Sequence, residues 1–122
     1  MSLVARHLEA VGIPTVLIGS GRDIVEECGV PRFLFVDFPL GNPCGKPGDR
    51  DMQYAIAGGA LDLLERAWGP RTTVQRPEVW DASDDFLWRE RFMRVDDSNR
   101  EALARAGAQR RSEQAEVKKA AG

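Results

Sequence analysis

Residues 15–38 carry the sequence TVLIGSGRDIVEECGVPRFLFVDF, which decides the fold. Thr15 to Ile18 and Arg32 to Phe38 are apolar runs without polar alternation, which is typical of strands covered on both faces. Between them, Arg22 to Cys28 has helical periodicity and is followed by Gly29, the residue type favoured just past a helix. A strand, a helix and a second strand in this order predict a parallel β-α-β unit.

Longer helices are predicted on both sides of this unit. The first starts at the candidate N-cap Ser2 and has an apolar stripe of Leu3, Val4, Leu8 and Val11. The second runs from Asp49 to Gly69-Pro70 and has an apolar stripe of Met52, Ile56, Leu63 and Ala67. Its mid-helix pair Gly58-Gly59 costs about 1 kcal/mol per glycine, which indicates close packing against another backbone. The fold class is therefore α/β, a small Rossmann-like three-layer fragment with parallel strands.

We divide the chain into residues 1–70, the α/β domain, and residues 71–122, a C-terminal arm. The arm begins with a candidate edge strand at Thr72 to Val74 and continues with an aromatic cluster of Trp80, Phe86, Trp88 and Phe92. Residues 100–120 are rich in helix-forming residues but have almost no apolar stripe beyond Leu103, so we expect a frayed solvent helix or a disordered tail.

Composition narrows the function classes. The 122 residues suffice for one domain, and 43% hydrophobic and 30% charged residues with a net charge of −2 leave no electrostatic excess for nucleic acid. The apolar runs are too short to span a bilayer, so no membrane partner is predicted. The first residues lack the pattern of a signal peptide, and two cysteines in unlike surroundings fit a reducing compartment. We expect a cytoplasmic protein.

The loop at the carboxyl end of the second strand is the strongest candidate site, because open parallel sheets bind ligands at that edge. Residues 39–49 hold three prolines and three glycines, so they form an ordered or mobile loop, and Pro39 and Pro43 stiffen its flanks. Within it, Gly41 permits close backbone approach and Asn42 presents a donor and an acceptor. Cys44 is a candidate nucleophile with Lys46 nearby to favour its thiolate, although a loop thiol can also be incidental.

The loop after the first strand offers Ser20 to an anion, with backbone N–H groups beside it. A simple tight turn is the alternative, because a dinucleotide fingerprint starting at Gly19 needs a glycine where Ile24 stands. Cys28 is expected to be a buried, inert thiol, and His7 a solvated or capping histidine. One histidine and scattered cysteines supply no tetrahedral metal site, and Asp81, Asp84 and Asp85 lack the spacing of a calcium loop.

Four segments of the chain form a distinctive series, namely Gly12-Ile13-Pro14-Thr15-Val16, Gly29-Val30-Pro31-Arg32, Pro39-Leu40-Gly41-Asn42-Pro43 and Ala60-Leu61-Asp62-Leu63-Leu64. Together they cover roughly residues 4–66. The series resembles the C-terminal region of the selenoprotein B component of glycine, sarcosine and betaine reductases. Its most specific element is Pro-Leu-Gly-Asn-Pro at this distance from Gly-Ile-Pro.

The resemblance implies a reaction mechanism and also the absence of the family's nucleophile from this chain. In that family a reactive selenocysteine or cysteine attacks the carbon that bears the amino leaving group, and a partner component accepts the resulting carboxymethyl group. The family's selenocysteine and cysteine motif lies just before the helix that starts here at Ser2, so this chain lacks that nucleophile. We expect Met1 either to begin a genuine small subunit or to follow a selenocysteine codon read as a stop.

We therefore predict a component, or the C-terminal portion, of a selenol- or thiol-dependent reductase acting on a small substrate, with residues 1–70 as its reductase-like domain. Cys44 is the catalytic candidate, and the substrate-binding candidates are Ser20, Gly41 and Asn42; no cofactor is predicted. The alternative is a non-catalytic interaction subunit that completes a larger chain carrying the nucleophile. Open sheet edges and spare apolar surface predict a partner reductase subunit or a homo-oligomer.

Overall fold

The structure is a computed structural model that describes residues 1–83, 87–92 and 94–121. Its helices are α1 (Ser2–Ala10), α2 (Arg22–Cys28), α3 (Arg50–Arg66), α4 (Trp88–Arg91) and α5 (Arg100–Ala121). Its strands are β1 (Leu17–Gly19), β2 (Arg32–Phe35) and β3 (Thr72–Gln75). Three residues singled out in the sequence lie outside the described residues, namely Asp84, Asp85 and Phe86.

The three strands form one parallel sheet in the order β1-β2-β3. This confirms the α/β class, and the candidate strand at Thr72 supplies the third strand. The second strand is shorter than expected and ends at Phe35, because the two neighbouring strands end at the same level. The last hydrogen bonds between the strands run from the Val36 N–H to the Gly19 carbonyl at 3.0 Å and from the Arg76 N–H to the Phe35 carbonyl at 2.9 Å.

Helices cover the sheet on both faces. On one face α3 buries Ile56, Ala60 and Leu63 against a set of strand and loop residues that comprises Leu34, Val36 and Phe38. On the other face α1 and α2 pack on Phe33, together with Ala5 and Val30. The alternation of Phe33 and Leu34 along β2 separates these two clusters, as strand geometry requires. The core is thus a three-layer α-β-α arrangement.

The connections between the strands have opposite hands. Both advance one strand in the same direction across the sheet, and two right-handed crossovers would place α2 and α3 on the same face. The two helices instead pack on opposite faces. One crossover is therefore left-handed, a rare arrangement that the alternation of strands and helices does not reveal.

The chain forms two compact units, Met1–Arg89 and Glu90–Gly122. The third strand belongs to the first unit, and the division into domains at residue 70 stays a prediction. In the second unit α5 is a continuous helix of 22 residues with almost wholly exposed side chains. Of the two expectations for residues 100–120, a solvent-exposed helix or a disordered tail, the structure has the helix. On α1 only Ala5 is buried, and of the apolar stripe Leu3 (71% exposed), Val4 and Val11 are exposed while Leu8 is half-buried.

Candidate functional site

The loop of residues 39–48 leaves the carboxyl end of β2 and is built from successive turns. The N–H of Asn42 donates to the Pro39 carbonyl, that of Gly45 to the Asn42 carbonyl, and that of Asp49 to the Lys46 carbonyl, each at 3.1 Å. Asp49 then caps α3 by accepting the Met52 N–H at 3.0 Å. Pro39 is buried at its start, so the loop is anchored at both ends.

Three glycines of this loop, Gly41, Gly45 and Gly48, have positive φ, and the first two differ in their surroundings. Gly45 has φ of 104°, and a Cβ there would lie 2.9 Å from Cγ of Met52, so only glycine fits against α3. Gly41 has φ of 94° and open space around it. The buried Gly45 holds the loop down, whereas the exposed Gly41 leaves its backbone accessible to a ligand.

The loop brings three of the four candidate residues together. Cys44 is exposed, and neither its thiol nor the half-buried Asn42 side chain has a hydrogen-bond partner among the described residues. Ser20 follows β1 and therefore lies at the same edge of the sheet, since β1 and β2 are parallel neighbours. Its Oγ is buried and unpartnered within the described part of the chain. The structure thus assigns all four residues to one sheet edge, in two loops.

The cation expected beside Cys44 is engaged elsewhere. Nζ of Lys46 lies 3.5 Å from a carboxylate oxygen of Asp81 and 5.7 Å from the centroid of the Trp80 ring. Hydrogen bonds from the Ser83 hydroxyl and backbone N–H, with Lys46 adding to them, lower the pKa of Asp81. Trp80 in turn packs on Phe38 with ring centroids 5.5 Å apart. No sequence signal links Lys46 to Asp81.

A second polar cluster, missed in the sequence, lies at the amino end of β2. Nη1 of Arg32 donates to both carboxylate oxygens of Glu9, at 2.8 and 2.9 Å, and the N–H of Thr15 donates to the same carboxylate at 2.7 Å. The Arg32 hydrogen bond is the main cause of the lowered pKa of Glu9. These contacts tie the end of α1 to the start of β2, and a cavity of about 340 Å³ adjoins them, lined in part by the exposed Trp68.

Cys28 and His7 lie away from the loop of residues 39–48, on α2 and α1. Cys28 is half-buried rather than buried, because α2 is short and only its inner side meets the sheet, and Ile24 beside it is 67% exposed. His7 is exposed on α1. Among the described residues, no three His, Cys, Asp or Glu side chains form a group that could hold a metal ion. Within the same range, no helix combines the length and the apolar character needed to cross a bilayer.

Part of the chain is similar in sequence to a known reductase subunit. The chain is 36% identical over 62 residues to D-proline reductase subunit gamma of Acetoanaerobium sticklandii, a stretch that is 51% of this chain and 26% of that subunit. This similarity makes the chain a distant, partial relative of a reductase subunit. The chain spans about a quarter of that relative's length. No protein-family model matches the sequence, and no solved structure matches the fold.

Proposed function

We propose that the chain is a component of a thiol- or selenol-dependent reductase and that it holds a small amino-acid-like substrate at the carboxyl edge of its sheet. The observation that carries this proposal is the loop of residues 39–48, which is fixed by turns yet presents an exposed thiol and an unpartnered side-chain amide. Both the resemblance to glycine, sarcosine and betaine reductases and the D-proline reductase relative support a substrate with a carboxylate next to a carbon–nitrogen bond.

The candidate residues have different roles in this proposal, set by the chemistry of their side chains. The Asn42 amide and the backbone around Gly41 suit a carboxylate, and the Ser20 hydroxyl suits a second polar group of the substrate. A thiolate or selenolate then bonds to the substrate carbon while the carbon–nitrogen bond breaks and its electron pair leaves with the nitrogen, which takes up a proton. Cys44 is the sulfur nucleophile available in this chain, and a partner component accepts the carbon group.

A non-catalytic interaction subunit is the second candidate. It is favoured by the ion pair between Lys46 and Asp81. Because Lys46 is paired with a carboxylate, it stabilises the thiolate form of Cys44 less. In that case the loop completes a pocket whose nucleophile belongs to a larger chain. Both candidates predict that the purified chain alone has no reductase turnover.

Titration by NMR against glycine, sarcosine, betaine and D-proline tests the proposed site. We expect at least one of them to shift the resonances of residues 39–48, and Asn42→Ala to weaken binding by about tenfold, the effect of losing one hydrogen bond to a charged ligand. Asn99→Ala, in the other compact unit, is the control and leaves binding unchanged. Shifts confined to other regions, or equal binding by Asn42→Ala, contradict the site.

Assays of substrate-dependent thiol oxidation address the reaction itself. We expect none from the isolated chain. Turnover that survives the double substitution Cys28→Ser and Cys44→Ser contradicts the proposed chemistry, since those are the two cysteines of the sequence.

A further inference from the structure

Helix α3 carries an apolar stripe on the side facing away from the core. Tyr54 is 77% exposed and Leu61 is 64% exposed, and both lie nearly opposite the buried Ile56 when 3.6 residues make one turn. Between them lie the exposed Ala57 and the glycine Gly58. A large tyrosine and leucine flanking two small residues form a surface that a second helix can approach closely.

Gly58 has no evident role within its own chain. A Cβ at this position meets nothing within 4 Å, and its backbone is helical with no positive φ. Glycine nevertheless costs about 1 kcal/mol relative to alanine in the interior of a helix. Its neighbour Gly59 differs, because a Cβ there would lie 2.7 Å from Nη1 of Arg76. The absent side chain at Gly58 therefore points to close contact with something outside this chain.

The stripe is complementary to a copy of itself turned end to end. In an antiparallel pair centred between Ala57 and Gly58, Tyr54 and Leu61 each lie three and a half residues from the centre and face one another. Arg50 and Glu65 each lie seven and a half residues from the centre on the same stripe, so a cation meets an anion at both ends. Neither of these charged residues has an ion-pair partner among the described residues. Such reciprocal pairing defines a two-fold interface.

A groove supports the same arrangement. It has a volume of about 450 Å³ and is lined by Arg50, Gln53, Tyr54 and Ala57. In the antiparallel pair, Leu61 of the second copy faces Tyr54 and fills the side of this groove. We propose that α3 is a homodimer interface, in which two copies pack antiparallel through Tyr54, Ala57, Gly58 and Leu61, with ion pairs between Arg50 and Glu65 at each end.

Sedimentation velocity on the full 122-residue chain tests this interface. The wild type is expected to sediment as a dimer of twice 13.5 kDa at micromolar concentration. Gly58→Leu places two leucines at the centre and is expected to raise the dimer dissociation constant by about 30-fold or more, as a central interface residue does. Ala55→Leu adds the same side chain to another exposed face of α3 and leaves the constant unchanged.

Folding of the variant is checked separately. Gly58→Leu meets open space within the chain and replaces a poor helix former, so its circular dichroism spectrum and thermal unfolding match or exceed the wild type at concentrations where both are monomeric. A wild-type monomer at high concentration overturns the proposal. So does a dimer that Gly58→Leu leaves intact.

Charge exchange distinguishes self-association from binding to a different protein. Arg50→Glu alone and Glu65→Arg alone place like charges together at both ends, and each is expected to weaken the dimer about three- to tenfold. The double variant restores opposite charges only if the partner is a second, equally substituted copy. Recovery of wild-type affinity in the double variant supports the homodimer, whereas two additive losses overturn it. Neither outcome depends on reductase activity.

Discussion

The two ends of β2 are built in different ways. At the amino end, side chains make the contacts: the Arg32 guanidinium grips both oxygens of Glu9, and Thr15 donates to the same carboxylate. At the carboxyl end, backbone turns shape the loop and Lys46 pairs with Asp81, while the side chains of Asn42 and Cys44 are left without partners among the described residues. At the amino end the Glu9 carboxylate and Nη1 of Arg32 are hydrogen-bonded, although Nε of Arg32 is buried without a partner within the described residues, whereas at the carboxyl end the Asn42 amide and the Cys44 thiol remain available.

This difference separates stability from function. Polar groups that are already paired inside the fold contribute to its free energy of unfolding, while unpaired groups on a fixed backbone are free to bind a ligand. Substitutions at the amino end should therefore lower stability, and side-chain substitutions at the carboxyl end should alter binding or reactivity at nearly constant stability.

Arg32→Ala is the largest expected effect. It leaves the partly buried Glu9 without its charged partner, and we expect a loss of about 2–3 kcal/mol in the free energy of unfolding, measured by urea titration. Arg22→Ala removes a more exposed pair with Glu26 and costs about 1 kcal/mol or less. Equal losses from the two substitutions would mean that the amino-end cluster contributes no more to the free energy of unfolding than an exposed ion pair does.

A pair of glycine substitutions sharpens the comparison at the carboxyl end. Gly45→Ala combines positive φ with a 2.9 Å approach to Met52 and should cost about 2 kcal/mol. Gly41→Ala meets open space and carries only the cost of its backbone conformation, about 1 kcal/mol. Thermal unfolding of both variants measures the difference. If Gly41→Ala were the more damaging, Gly45 would not be the residue that holds the loop against α3.

Glu9→Gln is expected to have a small effect on stability with a distinct pH dependence. Because the Arg32 hydrogen bond lowers the pKa of Glu9 in the folded protein, the carboxylate stabilises the fold above its ordinary pKa of 4.5, and this stabilisation is lost as the pH falls through the lowered value. We expect a difference from the wild type of about 1 kcal/mol at pH 7 that shrinks as the pH falls below the ordinary pKa of 4.5. A difference that is constant with pH would exclude ionisation as its source.

Local patterns in the sequence predicted the elements that depend on neighbouring residues. Helix α2 has the predicted bounds, Gly29 adopts the expected left-handed φ of 69° after it, and Asp49 stands at the start of α3. The third strand was also indicated, at Thr72. Each of these signals lies within a few residues of the structure that it produces.

Contacts between distant residues were not predictable in the same way. Glu9 and Arg32 are 23 residues apart, and nothing in either segment marks them as partners. The left-handed crossover is a property of the whole sheet rather than of any segment. In the candidate site, the sequence identified the loop and its exposed Cys44, but it paired Lys46 with that thiol, whereas Asp81 holds the lysine. The site roles of Ser20, Gly41, Asn42 and Cys44 stay predictions.

The most direct test of the account is the alkylation rate of Cys44 in the presence and absence of a small substrate. Mass spectrometry after brief exposure to iodoacetamide should show Cys44 labelled much faster than Cys28, because Cys44 is exposed and Cys28 is half-buried. Glycine, sarcosine, betaine or D-proline at saturating concentration should then slow the labelling of Cys44 and leave that of Cys28 unchanged. Labelling of Cys44 that is no faster than that of Cys28, or that none of the four compounds slows, would contradict a substrate site at the carboxyl edge.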